Sequence, residues 1–350
     1  MKKTLVALAA LASIGSAFAD APTITPYARL DIGLQSVTDD SVAKAKYTGG
    51  LVGADSVYNS SIWGLKGETD LGSGMKGFAQ VEQKFAANGA SGLVGDNNAR
   101  VGKIGISGGF GSLAIGAQWG PYDNITIGDA QDYNGFSPYG KQLNSGAHGD
   151  NGNGAVNGQT AASIQYTSPS YAGFVYEVNY APAKTTTTTN NDTDISSYGV
   201  DVQYTAGPLA VAAAYDSTPS SVSNVAGSSA TGKSTGWLIN GSYNLGAVSV
   251  FAALSGAKVD GTPLGSDKDT GWSLGLKAPV GQWTLAASYA TVKTSGDDMN
   301  QHTDSFGGQG LYAFNKQFTG YVGYITTKTT PDVGSSVTIG KFGTGLTMSF

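Results

Sequence analysis

The chain has 350 residues, a formal net charge of −5, 52 glycines, 18 tyrosines, 12 phenylalanines and no cysteine. The missing cysteine excludes a disulfide scaffold and a thiolate metal centre, and the acidic balance argues against a nucleic-acid partner. Charged residues make up only 13% of the chain, well below the roughly one quarter of an ordinary soluble domain.

The N-terminus has the three parts of a secretory signal: basic Lys2 and Lys3, apolar Leu5 to Ile14, and the small-x-small step Ala17-Phe18-Ala19. Residues 1–19 are therefore expected to be removed before Asp20, leaving 20–350 as one domain. No later stretch approaches the ~18 consecutive apolar residues of a membrane-spanning helix.

From there the sequence alternates. Trp63 and Leu65 alternate with Ile62, Lys66 and Glu68; Trp272, Leu274 and Leu276 with Ser273, Gly275 and Lys277; Trp283, Leu285, Ala287 and Tyr289 with Thr284, Ala286 and Ser288. Period-two alternation of this kind specifies strands with one oily and one wet face. About sixteen such strands are expected, each near the ~9–11 residues that cross a bilayer at a tilt. They cover 24–37, 57–70, 75–86, 99–107, 111–119, 161–167, 172–181, 196–206, 208–216, 234–244, 246–258, 268–278, 282–294, 301–314, 317–328 and 338–350.

The connectors alternate too. Tight ones sit at Leu71–Gly74, Gly108–Phe110, Ser168–Tyr171, Gly207, Leu245, Pro279–Gly281 and Asn315–Lys316, most carrying Gly, Pro or Asn. Long, low-complexity ones fill 38–56, 87–98, 120–160, 182–195, 217–233, 259–267, 295–300 and 329–337. An even strand number with all long loops at one end, and both chain ends at the other, permits closure into a barrel without edges in lipid. The expected fold is all-β, a transmembrane antiparallel β-barrel with short periplasmic turns and long extracellular loops. A sandwich or propeller has no reason to segregate its loops this way, and no repeat of fixed period is present. About sixteen strands enclose a lumen too wide for side chains to fill. The outsized connector 120–160 is long enough to carry a function of its own.

Two motifs carry no chemistry. Residues 227–234 spell a phosphate-binding loop but run into the strand at Trp237-Leu238-Ile239 instead of a helix, and Gly109-Phe110-Gly111 is a hairpin turn. An enzymatic site needs a histidine held by an acid near a nucleophile. His148 lies in a Gly/Asn-rich loop, and His302 shares its face with Asp304 but not with Ser305. No cofactor is expected.

Several segments resemble the general porins of β-proteobacteria. They are Ser61-Ile62-Trp63-Gly64-Leu65-Lys66-Gly67-Glu68-Thr69-Asp70-Leu71-Gly72, Gly105-Ile106-Ser107-Gly108-Gly109-Phe110-Gly111, Tyr166-Thr167-Ser168-Pro169-Ser170-Tyr171 and Gly241-Ser242-Tyr243-Asn244-Leu245-Gly246. The terminal Phe350, with Phe342, Leu346 and Met348 on its face, is similar to the signal read by the outer-membrane barrel assembly machinery. The resemblance implies a homotrimer of sixteen-stranded barrels in the Gram-negative outer membrane, among its lipid and lipopolysaccharide. Each barrel would be a passive diffusion channel for small hydrophilic solutes and ions, narrowed by the third long loop folded into the lumen. The alternatives are a substrate-preferring porin and a non-conducting surface or adhesin barrel.

Selectivity would then be set by charge at the narrowest point. The alternation turns Arg29, Lys66 and Glu82 inward and sets Arg100 opposite in parity to Val101, while Asp123, Asp129 and Asp132 lie on the long loop. In the resembled family arginines face acids of the loop. Here Ile62 stands where one arginine is expected, and Thr347-Met348-Ser349 where basic residues are common. A weaker anion preference than the family's, shading to mild cation preference, is expected. Arg29 either lines the ion path or bridges to Asp31 or Glu82 within the wall.

Overall fold

The computed structural model describes residues 22–41, 45–52, 57–86, 99–143, 159–182, 184–186, 192–194, 196–225, 228–262, 265–296 and 300–350. The expected signal peptide and His148 lie outside the described residues. In chain order the strands are β1 (Thr23–Asp39), β2 (Ala45–Val52), β3 (Ile62–Gly72), β4 (Met75–Lys84), β5 (Ala99–Gly108), β6 (Gly111–Trp119), β7 (Gln159–Thr167), β8 (Phe174–Ala181), β9 (Lys184–Thr186), β10 (Asp192–Asp194), β11 (Ser197–Ala206), β12 (Leu209–Val225), β13 (Ser228–Asn244), β14 (Ser249–Thr262), β15 (Gly265–Val280), β16 (Trp283–Gly296), β17 (Gln301–Ala313), β18 (Phe318–Pro331) and β19 (Val337–Ser349).

Sixteen of these form a closed antiparallel barrel. β9 and β10 pair only with each other, and β2 extends the column of β3 by pairing with the far half of β1. Closure is made by β1 on β19, from Arg29 opposite Ser349 to Asp39 opposite Ile339, and the Ala28 and Phe350 amides exchange bonds of 2.8 and 3.0 Å. Every spanning strand is thus paired on both sides, which a lipid environment requires of its backbone.

The apolar partners of the alternation all point outward. Ile104, Leu274 and Leu276 are 66, 57 and 54% exposed. They belong to a continuous outer surface that also carries Val200, Ile239, Leu285, Phe342 and Leu346. So much exposed apolar area is stable only against lipid. The inward partners are small or polar, including Ser163, Asn179, Asn240, Ser255, Ser273, Ser288 and Gln309. The Pro279–Gly281 turn closes with Gly281 at φ 62°, a conformation that favours glycine.

Several expected loops hold strand, among them 182–195 with β9 and β10. β12 and β13 continue through most of 217–233, β14 and β15 through most of 259–267, and β2 occupies part of 38–56. Their Ser, Thr and Gly residues offer no apolar–polar contrast and so give no alternation signal. Conversely, 57–61 is not strand. Val57 and Tyr58 leave the ladder and pack inward against Phe136.

Candidate pore constriction

Residues 120–143 follow β6 and lie against the inner wall, fastened at two apolar seats. In one, Tyr122, Ile125 and Tyr139 are buried among Ala212, Ala214, Leu238 and Ala253 of β12–β14. Small side chains there leave room for the two rings. In the other, Phe136 packs with Val57, Tyr58, Tyr321 and Ile325. A Cβ on Gly323 would come within 2.4 Å of the Phe136 ring and one on Gly343 within 3.0 Å, so glycines of β18 and β19 form the dent it fills. Polar bonds complete the fastening. Asn240 donates to the Tyr139 hydroxyl at 2.9 Å, Asn124 to Glu177 at 2.6 Å and Asn134 to Gln309 at 2.7 Å, while Lys277 pairs with Asp132 at 2.6 Å. Ser288 also donates to Gln131. The third long loop therefore folds into the lumen.

The wall facing its free edge belongs to β1 and β3–β5. The register puts Tyr27, Gly64 and Glu82 on one level and Thr25, Lys66 and Gln80 on the next, all inward. Glu82 accepts from the Tyr27 hydroxyl at 2.9 Å and from Arg100 Nε at 2.7 Å, and Gln80 donates to the same hydroxyl at 2.8 Å. The Arg100 guanidinium also lies 5.0 Å from the Trp119 ring centre.

Arg100 reaches this network by a route that alternation does not predict. Val101 lies opposite Glu82 and Lys103 opposite Gln80, so the inward face of β5 carries odd numbers and strict alternation would turn Arg100 to lipid. A bulge places Ala99 opposite Gln83, leaves Arg100 as the extra residue, and re-aims it inward. The expectation that Val101 and Arg100 occupy opposite faces is corrected accordingly: Val101 is 7% exposed and buried on the inner side.

The other expected residues fall in distinct places. Arg29 donates from Nε to the Ser60 carbonyl at 3.0 Å. Glu82 is held by Arg100 and Tyr27, and Asp31 accepts from the Tyr321 hydroxyl at 3.0 Å. Arg29 and Arg100 line a space of about 450 Å³ together with Tyr58, Trp119, Asp123, Asn124, Tyr133 and Asn134. Lys66 is exposed one level away, its ammonium 5.1 Å from the Tyr27 ring centre. Asp132 is paired with Lys277, and its charge also bears on Tyr58 of this space.

Asp129 does not line this space. It is 2% exposed and accepts from the Gln131 amide at 2.9 Å, the Tyr133 amide and the Ser137 hydroxyl at 2.6 Å each. Burial pushes its carboxyl above the usual range, against the pull of those donors. Its place is in the internal fold of the loop.

Sequence reasoning passed over Tyr58, Trp119 and Lys103. Lys103 was accessible to parity, since Ile104 and Ile106 point to lipid. Tyr58 was not, because 57–61 read as strand.

A sequence profile of the Gram-negative porins matches residues 4–332. The chain belongs to the Gram-negative porin family. An outer membrane porin protein of Bordetella pertussis is 30% identical over 285 residues, 72% of this chain and 69% of that one. Outer membrane porin protein 32 of Delftia acidovorans is 32% identical over 214 residues, covering 60% of this chain and 58% of that protein's length. Among solved structures, the anion-selective porin from Comamonas acidovorans superposes with a TM-score of 0.78 at 22% identity, over 94% of this chain and all of that one. These likenesses place this porin in the outer membrane and in a family of channels rather than enzymes.

Proposed function

We propose that this porin is a passive diffusion channel for small hydrophilic solutes and ions, with a weak anion preference set between the loop and the β1/β3–β5 wall. The observation that carries it is the joint approach of Arg29 and Arg100 to the space beside Asp123. Lys66, Lys84 and Lys103 belong to the same inward arc. Five cations are set against Asp31, Glu82 and Asp123; Asp31 is fully buried beside Arg29, and Glu82 is already paired with Arg100. A net basic surface beside an aqueous path raises the local anion concentration. The partial compensation by these carboxylates keeps the preference modest. The anion selectivity named for the Comamonas porin is a property of that protein, and here it supports the sign only.

The assembly we infer is a homotrimer, as in the trimer form named for a Vibrio cholerae outer-membrane protein of TM-score 0.68. Single-channel recording of the purified oligomer in a KCl gradient tests the function. Stepwise conductance with a reversal potential slightly toward chloride is expected. Correctly folded oligomers that do not conduct would overturn the channel, and a clear potassium preference would overturn the assigned site.

A further inference from the structure

Large aliphatic side chains left exposed by the strands of this barrel face lipid, with one departure. Ile339 on β19 is 43% exposed, yet its register turns it into the lumen. It stands opposite Thr327 of β18 and Asp39 of β1, on the same face as Lys341, Gly343 and Thr347. Among the described residues no other exposed large aliphatic of a barrel strand points that way. Val337, two residues nearer the long loops, and Val37, opposite Lys341, continue the apolar strip on either side.

The hydroxyls beside the strip are already engaged. Thr327 bonds Ser305 at 3.0 Å and Thr329 bonds Thr303 at 3.3 Å. A hydroxyl that keeps its protein partner can meet a hydrocarbon surface without the penalty of an unmade bond. An apolar strip bordered in this way is poorly matched to water and well matched to a short carbon chain.

At the foot of the strip lies a recess of about 230 Å³ between the third loop and the wall, lined by Lys341, Ile325, Tyr133, Asn134, Ser137 and Gly140. Asn134 donates to Gln309 at 2.7 Å and accepts from the Phe136 amide at 2.9 Å, while Ser137 donates to Asp129 at 2.6 Å. The Lys341 ammonium rests 3.5 Å from the Val57 carbonyl and 5.2 Å from the Phe136 ring centre. A Cβ on Gly135 would come within 2.8 Å of Lys341 Nζ, so the missing side chain admits the ammonium to the loop. Tyr133, Asn134 and Gly135 border this recess on one side and the space of Arg29 and Arg100 on the other.

We propose that the strip and recess form a binding site for an aliphatic monocarboxylate, its carboxylate on Lys341 and its tail along Ile339 and Val337. Lys341, Ile339 and Val337 follow one another at about 7 Å along β19, a step that a tail of about four to six carbons covers. The recess is smaller than the roughly 300–1,000 Å³ of sites for drug-sized ligands. Asp39 adds discrimination. It stands opposite Ile339 with its carboxylate engaged by the Ser41 amide at 2.9 Å and the Ser41 hydroxyl at 2.6 Å. A second carboxylate at the far end of the tail would meet this charge, which selects acids with one head over acids with two. The site needs a water-filled lumen and so rests on the channel reading, but not on the selectivity assigned to Arg29 and Arg100.

The test titrates acetate, hexanoate and adipate into the full-length oligomer in phosphatidylcholine nanodiscs, subtracts empty nanodiscs, and reads affinity from saturation-transfer NMR of the acid. The four added methylenes, each about half-buried, should tighten hexanoate over acetate roughly tenfold. Adipate should bind at least about fivefold more weakly than hexanoate, and Asp39→Asn should narrow that gap. Lys341→Gln should weaken hexanoate roughly fivefold. Ile339→Ser should weaken hexanoate about threefold or more and leave acetate unchanged. Equal affinity for acetate and hexanoate, adipate as tight as hexanoate, or an Ile339→Ser variant that binds hexanoate like the wild type would each overturn the proposal. Should Lys341→Gln fail to fold, the exposed position 339 still decides. Conductance in KCl is the separate readout. Normal conductance without hexanoate binding removes the site and leaves the channel, whereas binding without conductance removes the channel and leaves the site.

Discussion

The two inner walls that the third loop faces are charged oppositely, but only one of them is open. Along β1 and β3–β5 the inward charges are Arg29, Lys66, Glu82, Lys84, Arg100 and Lys103, with Asp31 fully buried behind them and Glu68 paired with Lys76 nearer the tight turns. Arg100 keeps 23% of its side chain exposed. Along β8, β11 and β12 the inward groups are Glu177, Asp201 and Asp216, exposed by 7, 1 and 4%. The turn Pro121–Asn124 lies over the acidic wall, with Asn124 on Glu177 and Tyr122 in the seat lined by Ala212 and Ala214. The acids are covered by the loop, whereas the bases border the aqueous space. A permeating ion makes direct contact only with the charges that border the water, because burial takes a group's own atoms out of the path. A count of inward residues alone would have balanced the two walls. Their exposure does not.

The strongest way to break this contrast is to uncover the acidic wall. Tyr139→Ala empties a fully buried site and removes the bond to Asn240, which should cost about 3–5 kcal/mol of loop attachment. Conductance should rise and anion preference should fall or reverse as Glu177, Asp201 and Asp216 meet water. Unchanged conductance and reversal potential in a folded oligomer would mean that the loop is held without this seat.

The next largest effect is expected on the open wall. Arg100→Ala removes an exposed cation and releases Glu82 from its 2.7 Å partner. The chloride-to-potassium permeability ratio should drop roughly twofold to fivefold, on the order of 0.5–1 kcal/mol for a screened charge near the path. Arg100→Lys should restore most of it. Asp123→Asn sharpens the comparison from the loop side and should raise the same ratio by no more than about twofold. An equal or larger shift from Asp123 than from Arg100 would place the selective charge on the loop.

Much of the barrel was legible from residue types alone. Trp272, Leu274 and Leu276 alternate because lipid wets one face of the strand and water the other, so periodicity reports environment directly. The same logic fails where the environment is uniform. The β12 to β15 ladders continue through Ser/Thr/Gly-rich sequence that carries no apolar–polar contrast, so they left no trace in hydropathy. At the site, the inward positions of Arg29, Lys66 and Glu82 followed from parity, whereas Arg100 depended on a one-residue bulge that parity cannot detect. Val57 and Tyr58 extend an apparently regular strand, and only the presence of Phe136 and its glycine dent pulls them inward. Asp123 and Asp129 look alike in sequence, yet the turn that closes on the Gln131 and Tyr133 amides buries one and leaves the other beside the space. Contacts distant in sequence made that distinction.

Asp129 offers the smallest but most specific test, because its role is to shape the loop rather than to meet ions. Its carboxyl is raised by burial above the 3.8 of a free aspartate. A group with a raised folded-state value binds its proton more tightly in the folded protein, so its contribution is full below about 3.8 and is lost as the pH climbs through the raised value. The loop should therefore be held more firmly near pH 4 than at pH 7, and open-channel noise should be lower in acid. Asp129→Asn keeps the shape and an acceptor for the Gln131 or Tyr133 amide but cannot ionise. It should abolish the difference between the two pH values while leaving the reversal potential within experimental error of wild type at pH 7. Noise that keeps its pH dependence in the variant would assign that dependence to another group, the covered acids of β11 and β12 being the next to examine. A shifted reversal potential would instead place Asp129 among the charges that ions meet, and the division between the buried and the open side of the loop would have to be redrawn.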